Sequence, residues 1–297
     1  MSTVPYEIVD VFTDRPFAGN PLAVVFDAVA LAGDQMQALA REFHLSESVF
    51  ILPPTSSAAG KATYRARIFT PETELPFAGH PSVGAAVTGR RRGLFAKSTV
   101  IQECGAGLLP ISISSGGSAT LTGGDPTLGE ELDPEPLLAT VGLSAPDHTG
   151  GAGPAAPRRA GCGLEFVFLP VRRSALRKAS IDSAAAARHG VSLISVFAWD
   201  PGTSTAYARV FCPGVSVPED PATGSAALGL GVWLVAAGWL PPSATSSYTV
   251  HQGVEMGRPS LLECTVTSSD GHASSATVAG HVVPIARGEI AVPPFIG

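Results

Sequence analysis

Four residues stand where side-chain type and local pattern could do proton chemistry: Glu47, His80, Asp220 and Ser225. Glu47 opens a strand-like run, and period-two alternation puts it on the face of Val49 and Ile51. An acid on such a face either sits at a strand mouth in water or is held in an apolar site; the pattern leaves both open. His80 precedes Pro81 at the start of a helix, where it either caps the helix or, with its pKa lowered by the helix N-terminus, relays protons as a neutral ring. Asp220 and Ser225 flank the start of a second helix. Asp220 reads as a solvated turn acid or a ligand group, and Ser225 as a donor to a carboxylate. Glu74 and Glu219 hold matching places before the two helices, where the dipole alone accounts for them. One carboxylic acid in an apolar cleft can take a proton from an acidic carbon and return it elsewhere on the same face. No dinucleotide fingerprint or P-loop competes, and Lys61, Lys97 and Lys178 lie in polar surroundings.

The elements that position these groups begin with residues 218–240, which carry no charge after Asp220. Length alone suits a membrane span, but four glycines and several alanines weaken the hydrophobicity. A helix apolar around its whole circumference is one enclosed by other structure. Its first N–H groups, with Thr223 or Ser225 as cap, face a ligand with partial positive charge. A second copy lies half a chain earlier: ARIFTP (66–71) matches ARVFCP (208–213), and PFAG (76–79) parallels PATG (221–224). Gly79, Ser82, Val83, Gly84 and Val87 then match Gly224, Ala227, Leu228, Gly229 and Val232. The repeat predicts two homologous lobes, each with a strand feeding an enclosed helix, and a pseudo-twofold bringing both helix starts to one cleft.

The chain of 297 residues has ample core for one or two domains, and its low charged fraction of 15% suits short strands and turns. A net charge of −6 argues against a nucleic-acid surface. Arg90, Arg91 and Arg92 follow the first helix at Gly89 and complement its C-terminal dipole. Cys104, Cys162, Cys212 and Cys264 are far apart, and the histidines show no ligand spacing. Buried free thiols, no metal site, no membrane segment, no secretory leader and a cytoplasmic setting are expected.

In order, strands are predicted at 7–12, 22–26, 44–52 and 62–69, with an amphipathic helix at 31–43. Residues 100–113 form two strands; 122–129 and 145–157 are turn-rich, the latter a surface loop. Strands follow at 164–171, 191–199 and 206–211, with a short helix at 181–190 capped by Asp182 or Ser183, and three antiparallel runs end the chain (248–251, 260–267, 276–285). The lobes are expected at 1–118 with the tail 283–297, and at 119–282.

Several of these pieces, in order along almost the whole chain, resemble the PhzF-like family, named after a phenazine-biosynthesis isomerase. They are DVFT (10–13), FAGNP (17–21), LSES (45–48), ELPFAGHP (74–81), EDPATGSA (219–226) and QGVEMGRPS (252–260). The resemblance implies an α+β fold of the diaminopimelate-epimerase type: two similar lobes, each a curled antiparallel sheet around a central helix, usually as a homodimer. It implies Glu47 as general acid/base, with His80 and Asp220 relaying protons. Gly79, Thr223, Gly224 and Ser225 would hold the substrate. The cofactor-free racemases of this fold use a cysteine before each central helix; Ala78 and Pro221 stand there, so a two-thiol mechanism lacks its parts. The expected activity is proton relocation, without cofactor, in a small carboxylate-bearing, cyclic or unsaturated amino-acid-like metabolite, in secondary metabolism. An epimerase using Glu47 with Asp220 or His80, or an idle metabolite- or protein-binding homologue, are the alternatives.

Overall fold

The computed structural model describes residues 2–215 and 217–294. The chain divides into unit 1, Met1–Leu121 with Ala279–Gly297, and unit 2, Thr122–Val278. The last three residues of the tail assigned by sequence to the first lobe lie outside the described residues.

Unit 1 runs β1 (Thr3–Val11), β2 (Asn20–Val25), α1 (Gly33–Phe43), β3 (Glu47–Leu52), β4 (Tyr64–Phe69), β5 (Glu74–Leu75), α2 (Gly79–Arg91), β6 (Thr99–Cys104), β7 (Gly107–Ile113) and β8 (Ser118–Thr122). β1–β2, β3–β4, β4–β5 and β6–β7 pair antiparallel. β2–β3 and β4–β6 pair parallel, each across a helix. Next come β9 (Pro126–Glu131), α3 (Pro134–Thr140), β10 (Arg158–Cys162), β11 (Glu165–Pro170), α4 (Ser183–His189), β12 (Ile194–Asp200), β13 (Thr205–Cys212), β14 (Val217–Asp220), α5 (Gly224–Ala236), β15 (Thr245–Gln252), β16 (Ser260–Ser269) and β17 (His272–Ala291). Unit 2 repeats the pattern: β10–β11, β12–β13, β13–β14 and β15–β16 are antiparallel, and β11–β12 and β13–β15 are parallel across α4 and α5. β1 also pairs with residues 282–291 of β17, as β10 does with β9.

The expected α+β fold, with a largely antiparallel sheet around each central helix, holds, and two strand pairs in each unit run parallel. A helical crossover returns the chain to run parallel to the strand it left, and each unit has two such crossovers.

Both central helices are enclosed. Residues 79–89 of α2 and 224–235 of α5 are buried, which accounts for the absence of a polar face on α5. The matched glycines serve close packing. A Cβ on Gly84 would lie 2.4 Å from Leu22 Cδ2, and one on Gly229 2.9 Å from the Ala160 carbonyl oxygen. Corresponding strands also supply a buried glutamine to each helix start. Gln102 of β6 donates to Ser82 Oγ (2.8 Å), and Gln252 of β15 donates to the Asp220 carbonyl (2.7 Å).

The matched arginines explain Glu74 and Glu219. Arg67 donates Nε and Nη2 to the two Glu74 oxygens, both at 2.7 Å; Arg209 does the same to Glu219 at 2.8 and 2.6 Å. Each guanidinium also lies 5.1 Å from a phenylalanine ring, Phe69 or Phe211. The helix dipole is therefore not the reason for these acids; bidentate pairing across the hairpin is.

Other departures are local. α2 continues past Gly89 through Arg91. Its arginines are tied down by Glu7, paired with Arg91 and Arg92, and by the Ile113 carbonyl, which accepts from Arg90. Turn-rich 122–129 contains the start of β9, an exposed strand paired with β10, whose side chains alternate too little to be seen by pattern. α3 follows Asp133, whose side chain accepts from the Glu135 N–H. Asp182 caps α4 by accepting from Ala185 N at 2.9 Å. All four cysteines are free thiols, and burial pushes Cys162 up to about 12.

Candidate active site

In unit 1, Glu47 is the first residue of β3 and His80 the second of α2. Parallel pairing sets Glu47 opposite Leu22, two residues beyond Asn20 on β2. The His80 side chain is 3% exposed, Glu47 16%, and His80 Nδ1 lies 3.5 Å from Glu47 Oε2. Glu47 is thus part-buried at the start of its strand.

Two polar residues fix the histidine ring. Ser46 Oγ donates to Asn20 Oδ1 at 3.0 Å, leaving the Asn20 amide nitrogen to donate to His80 Nδ1 at 3.3 Å. With Nδ1 accepting, the proton of the neutral ring sits on Nε2. Nε2 is buried and has no hydrogen-bond partner among the described residues. His80 therefore presents an N–H donor at Nε2, while its Nδ1, which accepts from Asn20, lies 3.5 Å from Glu47 Oε2. Sequence reading quoted Asn20 and Ser46 as part of motifs without giving them a role. Their contact comes from packing β2 against the turn before β3, which no spacing encodes.

Burial pushes the His80 pKa down to about 3. Glu47 pulls the other way, but its contact is long and desolvation of a nearly enclosed ring wins. The consequence is a pH dependence. Between about 3 and the ordinary 6.5, the unfolded chain binds the proton that the native ring refuses. This contribution to stability is present above 6.5 and is lost as pH falls towards 3, with a slope approaching about 1.4 kcal/mol per pH unit. In urea titrations across this range, His80→Gln should lack that slope. Parallel curves for native protein and variant would show that burial does not hold His80 neutral.

α2 starts at Gly79 with Ala78 as N-cap and no side-chain cap, so its first-turn N–H groups remain available to an anion.

In unit 2, Asp220 ends β14 and is 8% exposed. Thr223 Oγ1 donates to Asp220 Oδ2 at 2.5 Å and accepts from Gln252 Nε2 at 3.0 Å; Thr223 N donates to Gln252 Oε1 at 3.2 Å. The expected cap is corrected here. Thr223 holds the N-cap position of α5, but its hydroxyl is committed to Asp220, and no side chain caps the helix. Gly224 and Ser225 are its first two residues, both buried. The structure thus joins Glu47 to His80 beside Gly79, and Asp220 to Thr223 beside Gly224 and Ser225. Among the described residues no group of three or more His, Cys, Asp or Glu side chains could hold a metal, and no helix is long and apolar enough to cross a membrane.

Solved structures share this architecture. A PhzF-family phenazine biosynthesis protein of Bacillus anthracis superposes with a TM-score of 0.86 over 98% of this chain and 100% of that one, at 24% identity. A hydroxyproline epimerase of Agrobacterium vitis does so with 0.66, over 97% and 92%, at 14% identity. The fold is that of the diaminopimelate-epimerase-like isomerases. The family model for phenazine biosynthesis-like proteins matches residues 9–288. The trans-2,3-dihydro-3-hydroxyanthranilate isomerase of Pseudomonas aeruginosa is 34% identical, covering 95% of this chain and 98% of the relative; an uncharacterised isomerase of Mesorhizobium japonicum is 35% identical over 98% and 99%. The chain belongs to the phenazine biosynthesis-like (PhzF) family and is an isomerase.

Proposed function

We propose that this isomerase relocates a proton within a small, unsaturated or cyclic, amino-acid-like carboxylate, with Glu47 as the acid/base and no cofactor, in the biosynthesis of a secondary metabolite. The observation that carries the reading is Glu47 Oε2 at 3.5 Å from a buried, neutral imidazole, beside an uncapped helix start. With the ring held neutral by burial, Glu47 is the member of the pair that takes and returns the proton. His80 supplies a hydrogen bond through Nε2–H, and the Gly79 N–H steadies negative charge developing on the substrate. Asp220, held by Thr223, takes the second proton-relay role, and Thr223, Gly224 and Ser225 at the uncapped start of α5 take the substrate carboxylate. The relative's substrate, an anthranilate derivative, has the carboxylate and amine this assignment calls for. The reading includes a cytoplasmic homodimer, on the family resemblance.

The test is a panel of carboxylate-bearing dienes and pyrroline acids, trans-2,3-dihydro-3-hydroxyanthranilate among them, incubated in deuterated water and followed by NMR. One member should isomerise and gain a single deuteron at a new carbon. Inversion at one carbon without double-bond movement would replace this reading with the epimerase. Conversion without solvent deuterium would mean that the proton returns before exchange, and conversion at native rate by Glu47→Gln would remove Glu47 from the chemistry.

A further inference from the structure

Unit 2 contains a cavity of about 850 Å³, within the usual size range of small-molecule pockets, that uses none of the residues assigned above. Arg172 and Arg173, just after β11, line it with Trp199 and Asp200 at the end of β12, Tyr207 of β13, and Trp239 beyond α5. We propose that this cavity is a second binding site, for a small planar aromatic carboxylate.

Charge sets the ligand's sign. Arg173 has no acidic partner among the described residues, and its guanidinium carbon lies 3.3 Å from the Tyr207 ring centroid. Tyr207 in turn stacks on His251, at 5.3 Å and 23°. Arg172 spends only Nε, on the Pro146 carbonyl at 2.8 Å. The one acid of the lining, Asp200, is already engaged: its oxygens accept from Gly202 N at 2.9 Å and Thr203 Oγ1 at 3.0 Å. Two cations against one carboxylate, itself engaged in holding a turn, leave the lining net positive, and the ligand that balances it is an anion.

Shape and unsatisfied donors set the rest. Three aromatic residues in the lining favour a flat ring, and a guanidinium already laid on one ring accepts a second on its other face. The Trp199 Nε1–H is buried without a hydrogen-bond partner among the described residues, and so is His148 Nε2, in the residue bridged to Val171 of the same lining. A buried donor left unmade costs free energy that a bound acceptor recovers, with a small turn of the indole bringing it within reach. Trp239 packs edge-on against Trp233 at 5.0 Å, so one wall of the cavity is anchored in the core.

The test uses sodium benzoate as probe on the full chain labelled with ¹⁵N, which has three tryptophan indole signals to follow. Trp199→Phe identifies the Trp199 signal by its loss. That signal should move and saturate by roughly 10 mM benzoate, as a millimolar or tighter site must. Acetate and benzyl alcohol, each lacking one half of the probe, should bind about tenfold more weakly or worse, the loss of one good contact. Arg173→Gln should weaken benzoate by about tenfold, whereas Glu47→Gln should leave it unchanged, which separates this site from the proposed catalytic one. The proposal is overturned by a Trp199 signal that stays still throughout. Equal affinity in Arg173→Gln, loss of the response in Glu47→Gln, or movement of the signal on diluting the protein without benzoate would each overturn it too; the last would mean that a second copy of the chain fills the cavity.

Discussion

Exchanging Glu47 for glutamine should lower turnover by at least roughly 100-fold, the usual worth of one general acid/base. Glutamine keeps the size and part of the hydrogen bonding next to His80 Nδ1, but it cannot carry a proton between two carbons. Substrate binding should therefore persist, and deuterium wash-in from solvent should disappear with the turnover. Stopped single-turnover measurements, with binding measured separately, check both. A variant turning over at near-native rate would move the proton carrier to Asp220. A variant that failed to fold would make Glu47 structural.

The second large effect concerns stability. Glu219→Ala should cost about 3 kcal/mol in urea denaturation, because it strands the Arg209 guanidinium in a site where that side chain is 11% exposed. Arg209 would keep its bonds from Nη1 to the Leu176 and Ala179 carbonyls, but not its counter-charge. The same substitution at Glu74 should cost about 1 kcal/mol or less, because Glu74 is 42% exposed and Arg67 21%. The two sites are sequence repeats of each other, and what separates them is burial together with the carbonyls that fix Arg209 Nη1. Equal losses would mean that the bidentate geometry, rather than desolvation, sets the energy. Since Asp220 follows Glu219 directly, the Glu219 variant should also lose activity beyond what its stability explains.

The repeat was the most legible part of the chain, because it needed only two identical demands on sequence. Arg67 and Arg209 must each find an acid across a short hairpin, and Gly84 and Gly229 must each let a strand approach a helix. Glu47 and His80 were legible as individuals, one by its strand face and one by its place before Pro81. What could not be read was anything made by two elements meeting. Asn20 reaches His80, and Ser46 reaches Asn20, only once β2, β3 and α2 are packed together. Which strand pairs run parallel is likewise set by the helical crossovers between elements and not by alternation within a strand. β9 escaped because it buries little, and α3 because Pro134 and Pro136, in its first three residues, read as turn.

The strand that pairs β1 with residues 282–291 also sets a timetable for synthesis. Unit 2 is one continuous segment and has all its strands once Val278 has left the ribosome. Unit 1 is made first, yet one of the two neighbours of its opening strand is made last. The exposed edge of β1 must wait on the order of tens of seconds at ordinary elongation rates. Through that interval the nine-residue strand Thr3–Val11, paired with β2 along one side, carries its other edge open as a standing template for wrong pairing. The half of the protein that bears Glu47 and His80 is thus the half that matures last and depends most on protection while it is being made.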